Sequence, residues 1–583
     1  MRTRRSLLLT ISFVLILSTS LFNVAQSQQY SQIDSVKKHI YYLASEELAG
    51  RKPGTPGIEK AAAYISAQFK SIGVKPFNDT YLQPFKLLVG AQLADVNTLS
   101  VDGKELKLGK DYLPVDITGT GKAEGNIVFV GYGLDKTSGK ISYDNIEVKG
   151  KWVMAIRGSM DPADRSARAM LMGDYAKAMT AADKGAVGII LVNPSWNDDE
   201  KMDAKASLNR SMGNVKIPVL KVSTKIALKI INQSNDFIKK FPVDNEPASF
   251  ETKSKVSAEV NVKMIYQNTN NIVGYIEGSD PVLKNEYIVV GGHYDHLGMG
   301  GPSSRKPDTV AIHYGADDNA SGTAGVIEMA RSIQKAKGSF GRSFVFITFS
   351  AEEMGLLGSQ YFVSNPLISL PAVKGMINLD MIGRLKDELT IEGTGSATES
   401  DSLLNVLGKG RPFKVTHSAG ASGGSDHTSF YNKGIPVFFF FSGMHYDYHL
   451  PSDTPDKINY EGEVNILSMA YDLAKVLGNS KPLTYKQIAT QFNAGARNYR
   501  ISLGIMPDVA GTRNDGLEVM DARKGGPAER AGIKKGDVII SMNDKEVNNI
   551  TDYMSRLNTL KKGEKVKVGV KRKDEKLIIE VQL

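Results

Sequence analysis

The stretch Glu286-Tyr287-Ile288-Val289-Val290-Gly291-Gly292-His293-Tyr294-Asp295-His296 carries an apolar run straight into two imidazoles and a carboxylate. A short continuous apolar run is what a strand covered on both faces requires. The same arrangement recurs three times. Ser343-Phe344-Val345-Phe346-Ile347-Thr348-Phe349 runs into Ser350-Ala351-Glu352-Glu353, and Lys374-Gly375-Met376-Ile377-Asn378-Leu379 delivers Asp380. Pro436-Val437-Phe438-Phe439-Phe440-Phe441 leads to the loop holding Tyr448-His449. Strands and helices alternate between Asn271 and Asn479, which predicts an α/β fold with a mixed, mostly parallel sheet flanked by helices. In open sheets of this kind ligands bind outside the carboxyl ends of the strands, where all four runs place a metal-competent side chain. Between the first two runs lies Gly315-Ala316-Asp317-Asp318-Asn319-Ala320-Ser321-Gly322, two acids at the mouth of a helix expected to start near Ser321. Of the eight histidines only His39 lies outside the interval from His293 to His449.

Imidazole and carboxylate without sulfur suit zinc, and less selectively manganese or cobalt. Two histidines with Asp317, Glu353 and Asp380 make too many ligands for an open mononuclear catalytic site. They suit two ions that share one bridging carboxylate. Two metals ~3.5–4 Å apart can bind a hydroxide between them and polarise a carbonyl. Glu352 is then left over beside Glu353, and an unconsumed carboxylate near activated water is the natural general base.

Taken in order, the segments H-x-D, A-D-D-N-A-S-G, S-A-E-E-x-G-L-x-G-S, N-L-D-M-I-G and Y-H-x-x-x-D-T resemble the co-catalytic zinc aminopeptidases. That family includes the bacterial leucyl aminopeptidases, aminopeptidase Y and the transferrin receptor. The resemblance covers about 31–85, including LASEELAGRKPGTPG, and 271–478. It implies the zinc exopeptidase fold and two zinc ions: His293 and Asp380 on one, Glu353 and His449 on the other, Asp317 bridging. It further implies Glu352 as base and then acid, and Asp295 hydrogen-bonding His293 to fix its tautomer. Asp318 would support the site from beside the bridge, with the Asp317–Asp318 peptide cis. Tyr448 matches a tyrosine that in some members hydrogen-bonds the oxyanion, although Tyr446 is close by.

His296, His313 and His445 read as loop or supporting histidines. Ser425-Asp426-His427 invites a serine-triad reading, but adjacent Asp and His cannot orient one another around a nucleophile, and no G-x-S-x-G elbow exists. It reads as pocket wall. Gly131-Tyr132-Gly133 lacks the third glycine and helix of a dinucleotide loop and reads as a turn.

Residues 119–250, with GKWVMAIRG, KGAVGIILVN and IPVL, resemble a protease-associated domain. Residues 495–583 resemble a permuted bacterial PDZ domain through Gly525 to Ile540. There Leu503, Gly504 and Ile505 match the loop whose N–H groups capture a peptide carboxylate, so a C-terminal peptide could add a strand at the sheet edge. The alternative of mere packing stays open. The flanking 28–118 and 262–480 make up the catalytic part.

Met1-Arg2-Thr3-Arg4-Arg5, the apolar run from Leu7 to Phe22 and Ala25-Gln26-Ser27 describe a secretory signal peptide over 1–27. The expected protein is exported, periplasmic or extracellular, with no stable membrane span once the signal is removed. The absence of cysteine excludes disulfides, thiolate metal sites, cysteine nucleophiles and a lipid attached through cysteine. A formal charge of +9 on 583 residues is mild and gives no case for nucleic acid. The expected activity is removal of N-terminal residues from peptides. The rivals are a carboxypeptidase or dipeptidase on the same core, a non-catalytic receptor-like member, and cyclisation of N-terminal glutamine on a related single-zinc scaffold.

Overall fold

The computed structural model describes residues 32–133, 142–158, 167–192, 202, 208, 214–233, 249–301, 303–421, 424–488, 502–507, 515–523, 525–557 and 560–583. The expected signal peptide lies outside them. The described residues form two compact units, one within 1–87 and 268–493, the other within 88–267 and 494–583.

The first unit is built on one mixed sheet. Seven of its nine strands are β1 (Val262–Ile276), β2 (Tyr287–His293), β3 (Ser343–Phe349), β4 (Val373–Leu379), β5 (Glu388–Glu392), β6 (Lys414–Ser418) and β7 (Val437–Phe441), and Lys75–Pro76 and Leu82–Leu93 pair with β1. Their spatial order is β1-β3-β2-β4-β7-β5-β6. The middle four, β3, β2, β4 and β7, are mutually parallel. β1 and β5 join them antiparallel on either side. The four apolar runs of the sequence are therefore the four adjacent central strands, with their carboxyl ends on one edge.

Both faces of that sheet are covered. Ile288 and Val290 of β2 pack with the apolar face of the helices Gly322–Lys335 and Tyr460–Asn479, while Val289 between them packs with Phe362 and Phe430 on the other side. This alternation explains why the strands are apolar throughout.

The N-terminal segment passes from helix to strand. The helix Pro56–Ile72 buries Ile58, Ala61, Ala62, Ile65 and Phe69 and ends at Gly73, whose φ of 86° closes it. From Leu82 to Leu93 the chain is a strand with buried residues at alternate positions. The period is two, not 3.6.

The second unit holds the insert and the C-terminal segment, each with its own sheet. In the insert Gly121–Phe129, Trp152–Ile156, Gly188–Val192 and Val219–Val222 run parallel side by side. In the C-terminal segment Val538–Met542 and Lys545–Glu546 form a hairpin, turning through Asn543 and Asp544 at positive φ. The helices Ala167–Asp183 of the insert and Ile550–Leu557 of the C-terminal segment meet here. Tyr175 Oη donates to Asp552 at 2.5 Å, and Arg556 forks onto Asp183, with its Nη2 at 2.9 Å from one oxygen. No described helix is long and apolar enough to cross a membrane.

Candidate metal centre

The ends of the four parallel strands, with the turn before the helix Gly322–Lys335, assemble a buried cluster of carboxylates and imidazoles. Two groups of donor atoms lie within 4.8 Å of one another: His293, Asp318 and Asp380, and His296, Asp318 and Glu353. Asp318 belongs to both. Its Oδ1 is 3.4 Å from His293 Nε2, and its Oδ2 is 3.1 Å from His449 Nε2. Asp380 Oδ1 stands 3.4 Å from His293 Nε2, and Glu353 Oε2 stands 3.0 Å from His449 Nε2.

This arrangement corrects the reading of the two consecutive acids. The residue between the groups is Asp318, and the cis peptide is Asp318–Asn319. Asp317 points elsewhere. Its Oδ1 accepts the Gly383 N–H at 2.6 Å and the Ser321 hydroxyl at 3.1 Å, and its Oδ2 faces His445 Nε2 at 3.1 Å. The physical cause is an anchor under the turn: Asp453 Oδ2 accepts the N–H groups of both Asp317 (2.9 Å) and Asp318 (3.1 Å). Arg384 holds Asp453 by its other oxygen at 2.9 Å. Gly322 completes the turn, since a Cβ there would lie 2.1 Å from the Leu379 carbonyl oxygen.

Asp295 also acts differently from expectation. The nearest acceptor to His293 Nδ1 is the Asp295 backbone carbonyl at 3.2 Å, with the carboxylate at 3.7 Å. That carboxylate instead takes the N–H groups of Glu352 (3.1 Å) and Glu353 (3.4 Å), so it orients the following strand's loop. Burial and the adjacent Glu353 push it up to about 7, against the pull of His293.

Glu352 is not in either donor group, and its Oε2 lies 3.8 Å from His293 Nε2. Burial, then Glu353, Asp426 and Asp380, hold its carboxyl well above the usual range despite His293. Burial lowers the proton affinity of His449, but Asp318 and Glu353 raise it more, to about 10. The Tyr448 ring stacks on His449, 3.9 Å between centroids, and burial among the carboxylates keeps its phenol protonated. Tyr446 is 78% exposed, with Arg305 over its ring.

Two contributors were not assigned from the sequence. His296, read there as a supporting histidine, places Nδ1 2.7 Å from Glu353 Oε1. Asp453 sits inside the Y-H-x-x-x-D-T motif, which could have pointed to it. His427 is stacked on Phe439 at 4.6 Å, and Ser425 Oγ accepts the Asn378 Nδ2 amide at 2.9 Å; neither ring nitrogen of His427 has a hydrogen-bond partner among the described residues, so no triad forms there.

The residues fit a pair of divalent cations. Asp318 Oδ2, Asp380 Oδ1 and His296 Nε2 are buried with no well-formed hydrogen bond among the described residues, the first two facing only imidazole nitrogens at 3.1 and 3.4 Å, a state buried polar atoms rarely tolerate. Cations would complete them, and nitrogen with oxygen donors suits zinc.

Residues 271–474 match peptidase family M28. Over this segment the chain is similar to that family. Residues 117–230 match the PA domain and 502–583 the PDZ domain. Aminopeptidase YwaD of Bacillus subtilis is 25% identical over 475 residues, 77% of this chain and 87% of its own length. Leupeptin-inactivating enzyme 1 of Streptomyces exfoliatus is 31% identical over 177 residues, 30% of this chain, and only 36% of that relative's length is spanned. The solved zinc aminopeptidase from Bacillus subtilis is 21% identical with a TM-score of 0.44, covering 79% of this chain and 96% of that one.

Proposed function

We propose that this chain is a member of peptidase family M28, an exported aminopeptidase that removes N-terminal residues from peptides, using two zinc ions and Glu352. The supporting observation is the position of Asp318, shared by two donor groups, with Glu352 beside His293 and outside both. His293 and Asp380 would hold one ion, Glu353 and His449 the other with His296 alongside, and Asp318 would bridge. Ions bound there would polarise the scissile carbonyl and acidify a water molecule.

Glu352 takes the proton from the attacking water and passes it to the leaving amine, so one carboxyl serves as base and then acid. Its raised proton affinity suits the second half of that task. Tyr448, kept protonated, donates toward the oxyanion. In the C-terminal domain Gly504, at φ 76°, opens the loop proposed to receive a peptide carboxylate. Its own N–H is bonded to Ser502 Oγ at 3.0 Å, and the Leu503 backbone is hydrogen-bonded to the Tyr553 phenol, which leaves Ile505 as the donor to test.

Elemental analysis should find two zinc ions per chain. An aminoacyl chromogenic amide should be hydrolysed and its N-acetylated form left intact. Cleavage of the blocked peptide would favour a carboxypeptidase, and absence of metal would favour a receptor-like protein. Cell fractionation with N-terminal sequencing should recover a chain starting near Gln28 outside the cytoplasm.

A further inference from the structure

Arg51 lies in the turn Gly50-Arg51-Lys52-Pro53, far from the cluster in sequence, and is 0% exposed. Among the described residues no carboxylate is hydrogen-bonded to its side chain. Nε donates to the Tyr294 carbonyl at 2.8 Å, Nη1 to the Tyr314 carbonyl at 2.8 Å and to the Leu43 carbonyl, and Nη2 to the Gly315 carbonyl at 2.9 Å. Tyr294 sits between His293 and Asp295, and Gly315 begins the turn that presents Asp318. The backbone of the same turn binds the same loop: the Arg51 carbonyl accepts the His296 N–H at 3.3 Å and the Gly50 carbonyl accepts the Gly298 N–H at 3.0 Å. Gly50 is obligatory there, since at φ 73° a Cβ would lie 2.5 Å from the His313 carbonyl oxygen.

We infer that Arg51 is a positioning residue for the metal centre, its planar fork fixing the His293–His296 loop against the Asp318 turn so that both donor groups form together. The inference rests on the metal reading above. Guanidinium suits the task because several N–H vectors are fixed in one plane, which a lysine ammonium cannot reproduce. Burial lowers its proton affinity to about 10, offset by the fields of Asp318, Asp295, Asp453 and Glu353, so it remains a cation at neutral pH. It thus also places one positive charge behind a cluster rich in carboxylates.

The test is a chelator-competition zinc titration of metal-free wild type, Arg51→Lys and Arg51→Met, with circular dichroism and thermal melts of each metal-free protein. Expected are folded variants whose affinity for both zinc equivalents falls about 10–100-fold, the range for residues that orient ligands. The visible absorption of the cobalt-substituted form should shift as well, a readout that mere loss of stability leaves unmoved. A folded variant binding both equivalents within about twofold of wild type overturns the inference by comparison with that range. So does failure of both variants to fold, which would make Arg51 a stability residue. Wild type that binds no zinc would sink the metal reading itself, and this inference with it.

Discussion

The Asp453 carboxylate accepts the backbone N–H of Asp318 at 3.1 Å, across 135 positions of sequence. By gripping that peptide unit and the one before it, Asp453 decides which of two consecutive acids reaches the donor groups. Asp318→Asn should therefore lower kcat by on the order of 10³-fold or more and weaken both zinc equivalents, because one shared ligand serves both. Asp317→Asn, whose parent side chain bonds Gly383 and Ser321, should cost on the order of 10-fold, the scale of a supporting residue. Kinetics and zinc stoichiometry of the two variants side by side check this; the reverse ranking would restore Asp317 as the bridge.

Glu352→Gln should keep both zinc equivalents and lose about 10²–10⁴-fold in kcat, the usual contribution of a positioned base. The side chain belongs to neither donor group, so metal content and turnover should separate. Retained turnover would move the base elsewhere, and lost zinc would make Glu352 a ligand.

The strands were legible because both faces of the sheet are covered, which forces unbroken apolar runs at Ile288–Val290 and Phe344–Ile347. The donors at their ends were legible for the same reason, since a polar residue directly after such a run must sit at the sheet edge. The choice between Asp317 and Asp318 was not legible: it depends on the path of the turn and on Asp453, far away in sequence. His296 was missed because spacing from His293 does not reveal a loop that folds back toward Glu353. The shared unit of insert and C-terminal segment depends on contacts such as Tyr175 with Asp552, which no local pattern announces.

His427 should be an acid-labile point of the first unit. Burial against Phe439 lowers its pKa from 6.5 to about 3. A basic group with a depressed folded pKa favours folding above its unfolded value and loses that contribution as pH falls toward its folded value. From pH 7 to pH 4 the loss is about 3 kcal/mol. His427→Phe keeps a ring against Phe439 and removes the titration. Denaturant unfolding at pH 7 and pH 4 should show a smaller pH difference in the variant. An equal difference would mean that His427 is protonated in the folded protein.

Tyr175 and Arg556 should tie the insert helix to the C-terminal helix. Asp552 is 2% exposed and keeps its Asn548 partners at 2.8 and 2.9 Å when the tyrosine hydroxyl is removed, so the cost is that of one bond to a charged group. Tyr175→Phe should cost about 1.5–3 kcal/mol. Arg556→Ala should add to it, because Asp183 then loses its fork while partly buried. Hydrogen exchange in the full chain reads this directly: amides of Ala167–Asp183 and of Ile550–Leu557 should lose protection together, by roughly 10- to 100-fold in Tyr175→Phe. If only one of the two helices loosened, the pair would be a surface contact without energetic weight, and the insert and the C-terminal segment would unfold independently.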